Sequence, residues 1–396
     1  MIWLPALALL LQVADAARLL ETEKYAEAAP MLEKALEADP KDFRVRFNLA
    51  FAYSHLQRDR EAIEHYTKVV EEQPDLVPAR LNLGMLLLRQ KQPALAVPHL
   101  EAAAEKKPQD FRAQFYLGEA LLGAGRSEHA VAAYRRAAEI DARSEAASLG
   151  LGRSLARSGQ IETAREHFRK AGALLELADM LEQAKQPAQA LDLYLEFLQT
   201  KPDALAVRER AGVLLLQQKR YPEAIEHLEA AVKQNPTAAN QAALAQGYTM
   251  AAQPAKALPV LRAALAAEPS SADLRFRLGT ALLESSDFDG AAREFLMVVA
   301  KQPDNQAAFN GLGFAFYKKE NHEAAMKALD RARQLGPEPP GNHYLRGIIL
   351  DTFHQYPAAL ENYQRFLNAA AGRYPDDEFK ARQRIRIITT LLNKRR

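Results

Sequence analysis

Apolar residues along this chain recur three and four positions apart, in blocks separated by short polar stretches such as LQRDRE at 56–61. That spacing puts them on one face of an α-helix. The blocks come in pairs. In the second block of each pair an alanine is followed four places later by a bulky apolar residue: Ala28/Leu32, Ala62/Tyr66, Ala96/Leu100, Ala130/Tyr134, Ala164/Phe168, Ala190/Tyr194, Ala224/Leu228, Ala257/Leu261, Ala291/Phe295, Ala325/Leu329 and Ala359/Tyr363. In the first block Leu-Gly recurs at Leu83-Gly84, Leu117-Gly118, Leu151-Gly152, Leu278-Gly279 and Leu312-Gly313, with Ala50, Ala178, Ala245, Gly212 and Gly347 as equivalents. Proline punctuates the series. Pro40, Pro74 and Pro108 are 34 apart, and Pro202, Pro236, Pro269, Pro303 and Pro337 follow at intervals of 34, 33, 34 and 34.

Each unit therefore holds two amphipathic helices, and proline stops the second. A glycine inside a helix costs about 1 kcal/mol relative to alanine. Its recurrence implies a compensating gain: small residues let two backbones approach while the bulky residue of each helix fills the space alongside. Neither helix can bury its apolar face alone, so neighbouring units must stack. The series resembles the tetratricopeptide repeat, W-x2-L-G-x2-Y…A-x3-F…P, from about Leu9 to Ala371 in eleven units. The tryptophan slot is relaxed, holding residues such as Arg46, Arg80, Gln114 and Phe309, and the only tryptophan, Trp3, lies outside the pattern. The resemblance implies an all-α α-solenoid, a right-handed superhelix of about eleven helix-turn-helix units with a C-terminal capping helix.

Two regions depart from the period. Between Ala142 and Pro202 there are 60 residues where two 34-residue units would need more, so the fifth unit should have a shortened second helix and a tight link to the sixth. A hinge and a deletion absorbed by a reoriented helix both fit. At the N-terminus, MIWLPALALLLQVADAARLL has an apolar run too short to span a bilayer, followed by Ala14-Asp15-Ala16. Residues 1–16 read either as a cleavable export signal or as the opening helix; the first basic residue is only Arg18. The expected organisation is an N-terminal sub-array at 9–170, a C-terminal sub-array at 171–371 and a basic capping helix at 376–396. In that last helix Asp376 or Asp377 should act as N-cap. Phe379, Ile385, Ile388 and Leu392 should cover the end of the stack. Lys380, Arg382, Arg384, Arg386, Lys394, Arg395 and Arg396 make it basic.

Composition narrows the chemistry. The balance of 52 Lys plus Arg against 50 Asp plus Glu argues against a nucleic-acid binder, and the absence of cysteine excludes disulfides, thiolate metal sites and cysteine nucleophiles. His65, His99, His167 and His227 each precede the bulky residue of a second helix. One repeat slot accounts for all four without a metal. Glu71-Glu72 and Asp376-Asp377 fall at helix ends, and no glycine-rich phosphate loop occurs. No catalytic, cofactor-binding or metal-binding residues are expected, and no membrane span.

In the resembled family the concave face of the first helices is the usual surface for a peptide or partner segment. Helical phase puts Phe47, Phe51, Leu81, Met85, Leu88, Phe115 and Leu122 on that face in units two to four, and Asn48 and Asn82, which share the slot just before the leucine of consecutive units, could bracket a peptide backbone as a two-rung ladder. In units nine to eleven phase puts Phe276, Leu283, Phe314, Tyr317, Tyr344 and Ile348 there. The middle is more polar, with Arg153, Arg157, Asp179, Glu182, Glu209 and Gln246. Exposed apolar area of this kind marks interaction surfaces. The expectation is a non-catalytic scaffold or adaptor that binds a protein or peptide in its groove. A structural subunit of an envelope export or secretion assembly is the alternative. A glycosyltransferase carrying such an array is a third, disfavoured because the repeats consume the chain. The compartment follows from the N-terminus: exported in one reading, cytoplasmic in the other.

Overall fold

The computed structural model describes residues 3–394. Every regular element among them is helical. The helices are α1 (Trp3–Glu21), α2 (Tyr25–Ala38), α3 (Phe43–His55), α4 (Asp59–Glu72), α5 (Val77–Arg89), α6 (Pro93–Lys106), α7 (Phe111–Gly123), α8 (Ser127–Ile140), α9 (Glu145–Arg157), α10 (Ile161–Lys170), α11 (Leu174–Gln183) and α12 (Pro187–Thr200). There follow α13 (Leu205–Gln217), α14 (Tyr221–Gln234), α15 (Ala238–Met250), α16 (Pro254–Ala267), α17 (Ala272–Glu284), α18 (Phe288–Lys301), α19 (Gln306–Lys318), α20 (His322–Leu335), α21 (Pro340–Thr352), α22 (Tyr356–Ala370) and α23 (Pro375–Lys394). From α1 to α22 they form eleven successive pairs, as the period predicts. The chain divides into two compact units, Met1–Leu193 and Tyr194–Arg396, and α12 crosses the division. The segment read as a signal or an opening helix falls within α1, with Ala16 fully buried; Met1 and Ile2 lie outside the described residues. No helix among the described residues is long and apolar enough to cross a membrane.

Turns between paired helices obey a rule that the apolar pattern does not display. Each has one residue in the left-handed region: Glu23, Gln57, Lys91, Gly125, Gly159, Lys185, Lys219, Ala252, Ser286, Glu320 and His354, with φ between 57° and 83°. Only two are glycine, although a side chain there costs about 1–2 kcal/mol. The reversal is held by the next residue, whose N–H donates to a carbonyl five positions back, as from Arg58 to Tyr53 at 2.9 Å and from Gln92 to Leu87 at 2.8 Å. Turns between units use different chemistry. At several of them proline ends the second helix and a short polar side chain caps the next one: Asp42 accepts from Arg44 N, Asp110 from Ala113 N, Ser271 from Leu274 N and Asn305 from Ala308 N, whereas α5 and α13 begin without a side-chain cap.

The vacated tryptophan slot has a defined use. Arg80 Nε and Arg208 Nε each donate at 2.5 Å to the carbonyl of the proline six residues earlier, Pro74 and Pro202. Arg46 reaches Pro40, Gln114 reaches Pro108 at 3.3 Å, and Arg275 reaches Pro269 at 3.0 Å. A long donor thus satisfies the carbonyl at the inter-unit turn. The residue nineteen positions on, in the partner helix, faces this slot. It is Glu294 against Arg275, paired at 3.0 Å, and His167 against Ser148, at 3.1 Å. His65, His99 and His227 occupy the same position opposite Arg46, Arg80 and Arg208.

Those three histidines are half-buried, and their Nδ1 atoms are buried without a hydrogen-bond partner. Burial, reinforced by the neighbouring arginine, lowers each below the ordinary 6.5. The unfolded chain therefore takes up these protons first on acidification. Stability is fully present above 6.5 and is lost as pH falls through the folded values. We expect the urea midpoint to drop between pH 7.5 and 5.5. A His65→Gln, His99→Gln, His227→Gln variant should show a shallower drop, and equal drops in the two proteins would refute the assignment.

Small residues meet bulky ones as the spacing requires. A Cβ built on Gly118 would lie 2.8 Å from the Tyr134 ring, and one on Gly279 2.9 Å from Phe295. The same two rings also press on the following unit. A Cβ on Gly150 would stand 2.5 Å from Tyr134 Cζ, and one on Gly311 2.6 Å from Phe295 Cε2. Each ring is thus clasped by glycines of two successive first helices. Tyr66 meets Asn82 at the corresponding place, and Asn82 Nδ2 donates to Tyr66 Oη at 2.9 Å. Where the second helix offers leucine instead, the corresponding residue is larger, as in Tyr116 after Leu100 and Leu345 after Leu329.

The fifth unit is shorter than its neighbours. Helix α10 has 10 residues against 14 in α8, and Gly172, at φ 65°, turns the chain within three residues into the 10-residue α11. Arg153 of α9 forms a two-pronged pair with Glu176 of α11, at 2.5 and 3.1 Å.

Helix α23 differs from expectation in two respects. Asp376 and Asp377 lie in its first turn rather than at the N-cap. The carboxylate that reaches back is Glu378, 3% exposed, which accepts from Gly372 N at 2.7 Å. Phe379 is 61% exposed, because the covering face is set by Ala381 and Ile388, with Ile385 and Leu392 beside them. Arg384 anchors the helix by donating at 2.7 and 2.8 Å to Asp351 of α21. Arg395 and Arg396 lie outside the described residues.

Candidate binding groove

In the first of the two compact units, Met1–Leu193 (hereafter the first unit, Tyr194–Arg396 being the second), the first helices α3, α5 and α7 bring eight of the expected groove residues together. Phe47, Asn48, Phe51, Leu81 and Asn82 line a cleft of about 650 Å³ with α1 residues Ala17, Leu20 and Glu21 on its far side. Phe51, Asn82, Met85, Leu88 and Phe115 line a second, of about 600 Å³. The two clefts share Phe51, Asn82 and Arg112.

The walls are braced from behind. Phe47 meets Tyr66 edge-on with centroids 5.4 Å apart, and Phe115 meets Tyr134 likewise at 5.8 Å. Phe51 packs against Tyr25 and His55, whose rings stack at 4.3 Å. Burial raises the Tyr66 phenol above its ordinary range, partly offset by the bond from Asn82. Because that bond occupies an amide proton of Asn82, a two-rung ladder with Asn48 has fewer donors than the sequence suggests. Leu81 also departs from expectation. At 6% exposed it is cleft floor rather than wall, since it shares a stripe with buried Val77 one turn earlier.

Charged groups around the clefts are mostly committed within the fold. Arg89 donates to Asp59 Oδ2 at 2.7 Å and to Ser54 O at 3.1 Å, and Gln90 donates to the same carboxylate at 2.8 Å. Asp59 is 8% exposed, so this cluster ties α4 to α5. Glu119 accepts from Tyr134 Oη, and Asp110 caps α7.

The expected residues of the second unit do not gather. Phe276 packs on Phe295 at 5.7 Å and lines a recess of about 140 Å³ with Gln246 and Arg277. Tyr317 joins the cluster around Leu329 and Ile349, while Phe314 is 40% exposed beneath Lys318. Tyr344 lies against Phe366 at 4.8 Å, in a separate cleft of about 720 Å³ with Ile348, Phe379 and Lys380. In the polar middle, Arg153 is paired with Glu176, and Glu209 accepts from Asn240 at 2.5 Å. No cluster of three or more metal-ligating side chains occurs among the described residues.

A family model described as tetratricopeptide repeat matches residues 19–83, and another of the same description matches 81–145, 175–239, 242–299 and 276–340. The chain belongs to the tetratricopeptide repeat family. Among relatives of this tetratricopeptide repeat protein is the TPR repeat-containing protein PA4667 of Pseudomonas aeruginosa, 27% identical over 53% of this chain and 35% of that protein. Another is the BBSome complex member BBS4 of Bos taurus, 24% identical over 47% of this chain and 29% of that protein. The chain spans about a third of the length of these curated relatives. A solved structure of Naa15/Naa10 bound to HypK-THB aligns with 95% of this chain and 66% of its own at a TM-score of 0.50 and 15% identity, a likeness of fold alone.

Proposed function

We propose that this tetratricopeptide repeat protein is a non-catalytic scaffold whose first unit holds an extended segment of a partner protein across α3, α5 and α7. One observation carries the reading: two adjoining apolar clefts, walled by Phe47, Phe51, Met85, Leu88 and Phe115, share the side chains at their junction. Two such clefts in line suit successive large side chains of an extended peptide. The apolar walls supply burial, and the flanking polar groups fix direction.

Met85→Gln and Phe115→Gln, made singly, test it. Both residues are half-buried cleft wall, so far-UV circular dichroism should remain unchanged. Each should weaken binding of a peptide selected from a displayed random library by roughly tenfold, which corresponds to about 1.4 kcal/mol. The equivalent change Phe314→Gln in the second unit should leave that affinity alone. Equal effects from all three, or none from any, would place the peptide elsewhere.

A further inference from the structure

The junction of the two clefts has a chemical identity of its own. Arg112 of α7 lines both. It is exposed, and among the described residues no carboxylate stands within 4 Å of its guanidinium; its polar contact is the thioether of Met85, at 3.1 Å from Nη2. A guanidinium offers five N–H donors, and a thioether is a weak acceptor for one of them. The surrounding groups are otherwise engaged. Arg89, the other arginine of these clefts, is gripped by Asp59 and the Ser54 carbonyl. The carboxylates of Asp110 and Glu119 accept from Ala113 N and Tyr134 Oη. Glu21 stands on α1, across the larger cleft, and Lys107 adds a second cation to that cleft's rim.

Resting on the groove reading above, we propose that the held segment carries a side-chain carboxylate read by Arg112, flanked by bulky apolar residues that occupy the two clefts. A planar guanidinium favours a carboxylate because two parallel N–H···O bonds form at once. Its place between apolar walls explains the flanks: the same extended chain that seats an acid at Arg112 points neighbouring side chains into the clefts on either side. The recognised group is an internal Asp or Glu rather than a chain end, because Arg112 is shared by two clefts and each offers apolar walls of its own for a flanking residue.

The test is panning of a random-peptide library, fused at its C-terminus to the display protein so that no free terminal carboxylate is offered. The whole chain and its Arg112→Gln variant are panned in parallel, after thermal melts confirm equal folding. The expected result is a wild-type pool in which Asp or Glu sits between bulky apolar residues. The Arg112→Gln pool should keep the apolar flanks and lose the acid. Against a peptide from the first pool, Arg112→Gln should weaken binding about tenfold, the scale of a hydrogen-bonded charged pair, and Arg112→Lys should restore part of it. Acid enrichment in neither pool, or in both equally, overturns the role of Arg112 while the groove reading stands. A failure of either pool to enrich apolar residues removes the groove reading and this inference together.

Discussion

Tyr134→Ala is expected to lower the unfolding free energy by about 3–5 kcal/mol, the range for deleting a large buried ring. Tyr134 is fully buried, and its ring touches Gly118 in its own unit and Gly150 in the next. The substitution therefore opens a cavity between two units at once. Gly150→Leu attacks the same contact from the other side. It gains about 1 kcal/mol in helix propensity. It loses more, because overpacking costs about 1–3 kcal/mol and this ring cannot retreat from a second glycine. The decisive measurement is the double variant followed by urea unfolding. The introduced leucine side chain would fill part of the space left by the ring, so the two losses should be less than additive by at least about 1 kcal/mol. Strict additivity would show that the two positions do not touch.

Arg346→Leu is expected to cost about 3–5 kcal/mol, as removal of one member of a buried ion pair does. The position is the leucine slot of the last repeat, so the substitution restores the family residue and, judged by repeat pattern alone, should stabilise. The structure predicts the opposite. Arg346 is 3% exposed and donates from Nε to Glu338 at 2.8 Å and from Nη1 to Asp330 at 2.7 Å. The Glu338 side chain is 4% exposed, and without Arg346 its remaining neighbour is His343 at 3.6 Å. Arg346→Leu with Glu338→Gln should recover most of the loss, because no charge is then left buried. The single variant should also suffer less at pH 5.5 than at pH 7.5. In the parent, burial and nearby cations, Arg346 among them, hold His343 below the ordinary histidine value; removing Arg346 takes away one of those cations and leaves the Glu338 carboxylate, so in the variant acid charges His343 more readily and gives Glu338 a partner. A single variant as stable as the parent at both pH values would show the pair to be dispensable.

The repeat made most of the fold legible. Spacings of three and four fixed the helices, and the glycine and alanine slots fixed which faces meet. The left-handed turn residues were not legible, because nine of the eleven positions hold side chains rather than glycine and the rule is one of backbone geometry. Nor was the use of the tryptophan slot. Arginine at 46, 80 and 208 looks like decay of a motif until its reach to a proline carbonyl is seen. Helical phase named residues that line the two clefts of the first unit, with Leu81 lying deeper than its phase suggests, since a residue at the border of an apolar stripe is floor or wall depending on its neighbours. In the second unit it named aromatics that pack into separate places, because phase gives direction and not which neighbouring helix receives a side chain. Arg112 had a readable signal, a cation beside Phe111 and Phe115, but its lack of a carboxylate partner among the described residues is a tertiary fact.

The glycine clasp around Tyr134 and Phe295 limits how such a chain can grow. A duplicated unit inserted after α8 would present its first helix to Tyr134 without regard to what that ring needs opposite it. Copies opening with glycine at the place of Gly150, or with a small polar residue as Asn82 is for Tyr66, would fit, whereas after Leu100 a copy opening with glycine would leave a hole. Successful duplications and recombinations should therefore have breakpoints inside a helical pair, carrying a second helix together with the first helix that follows it.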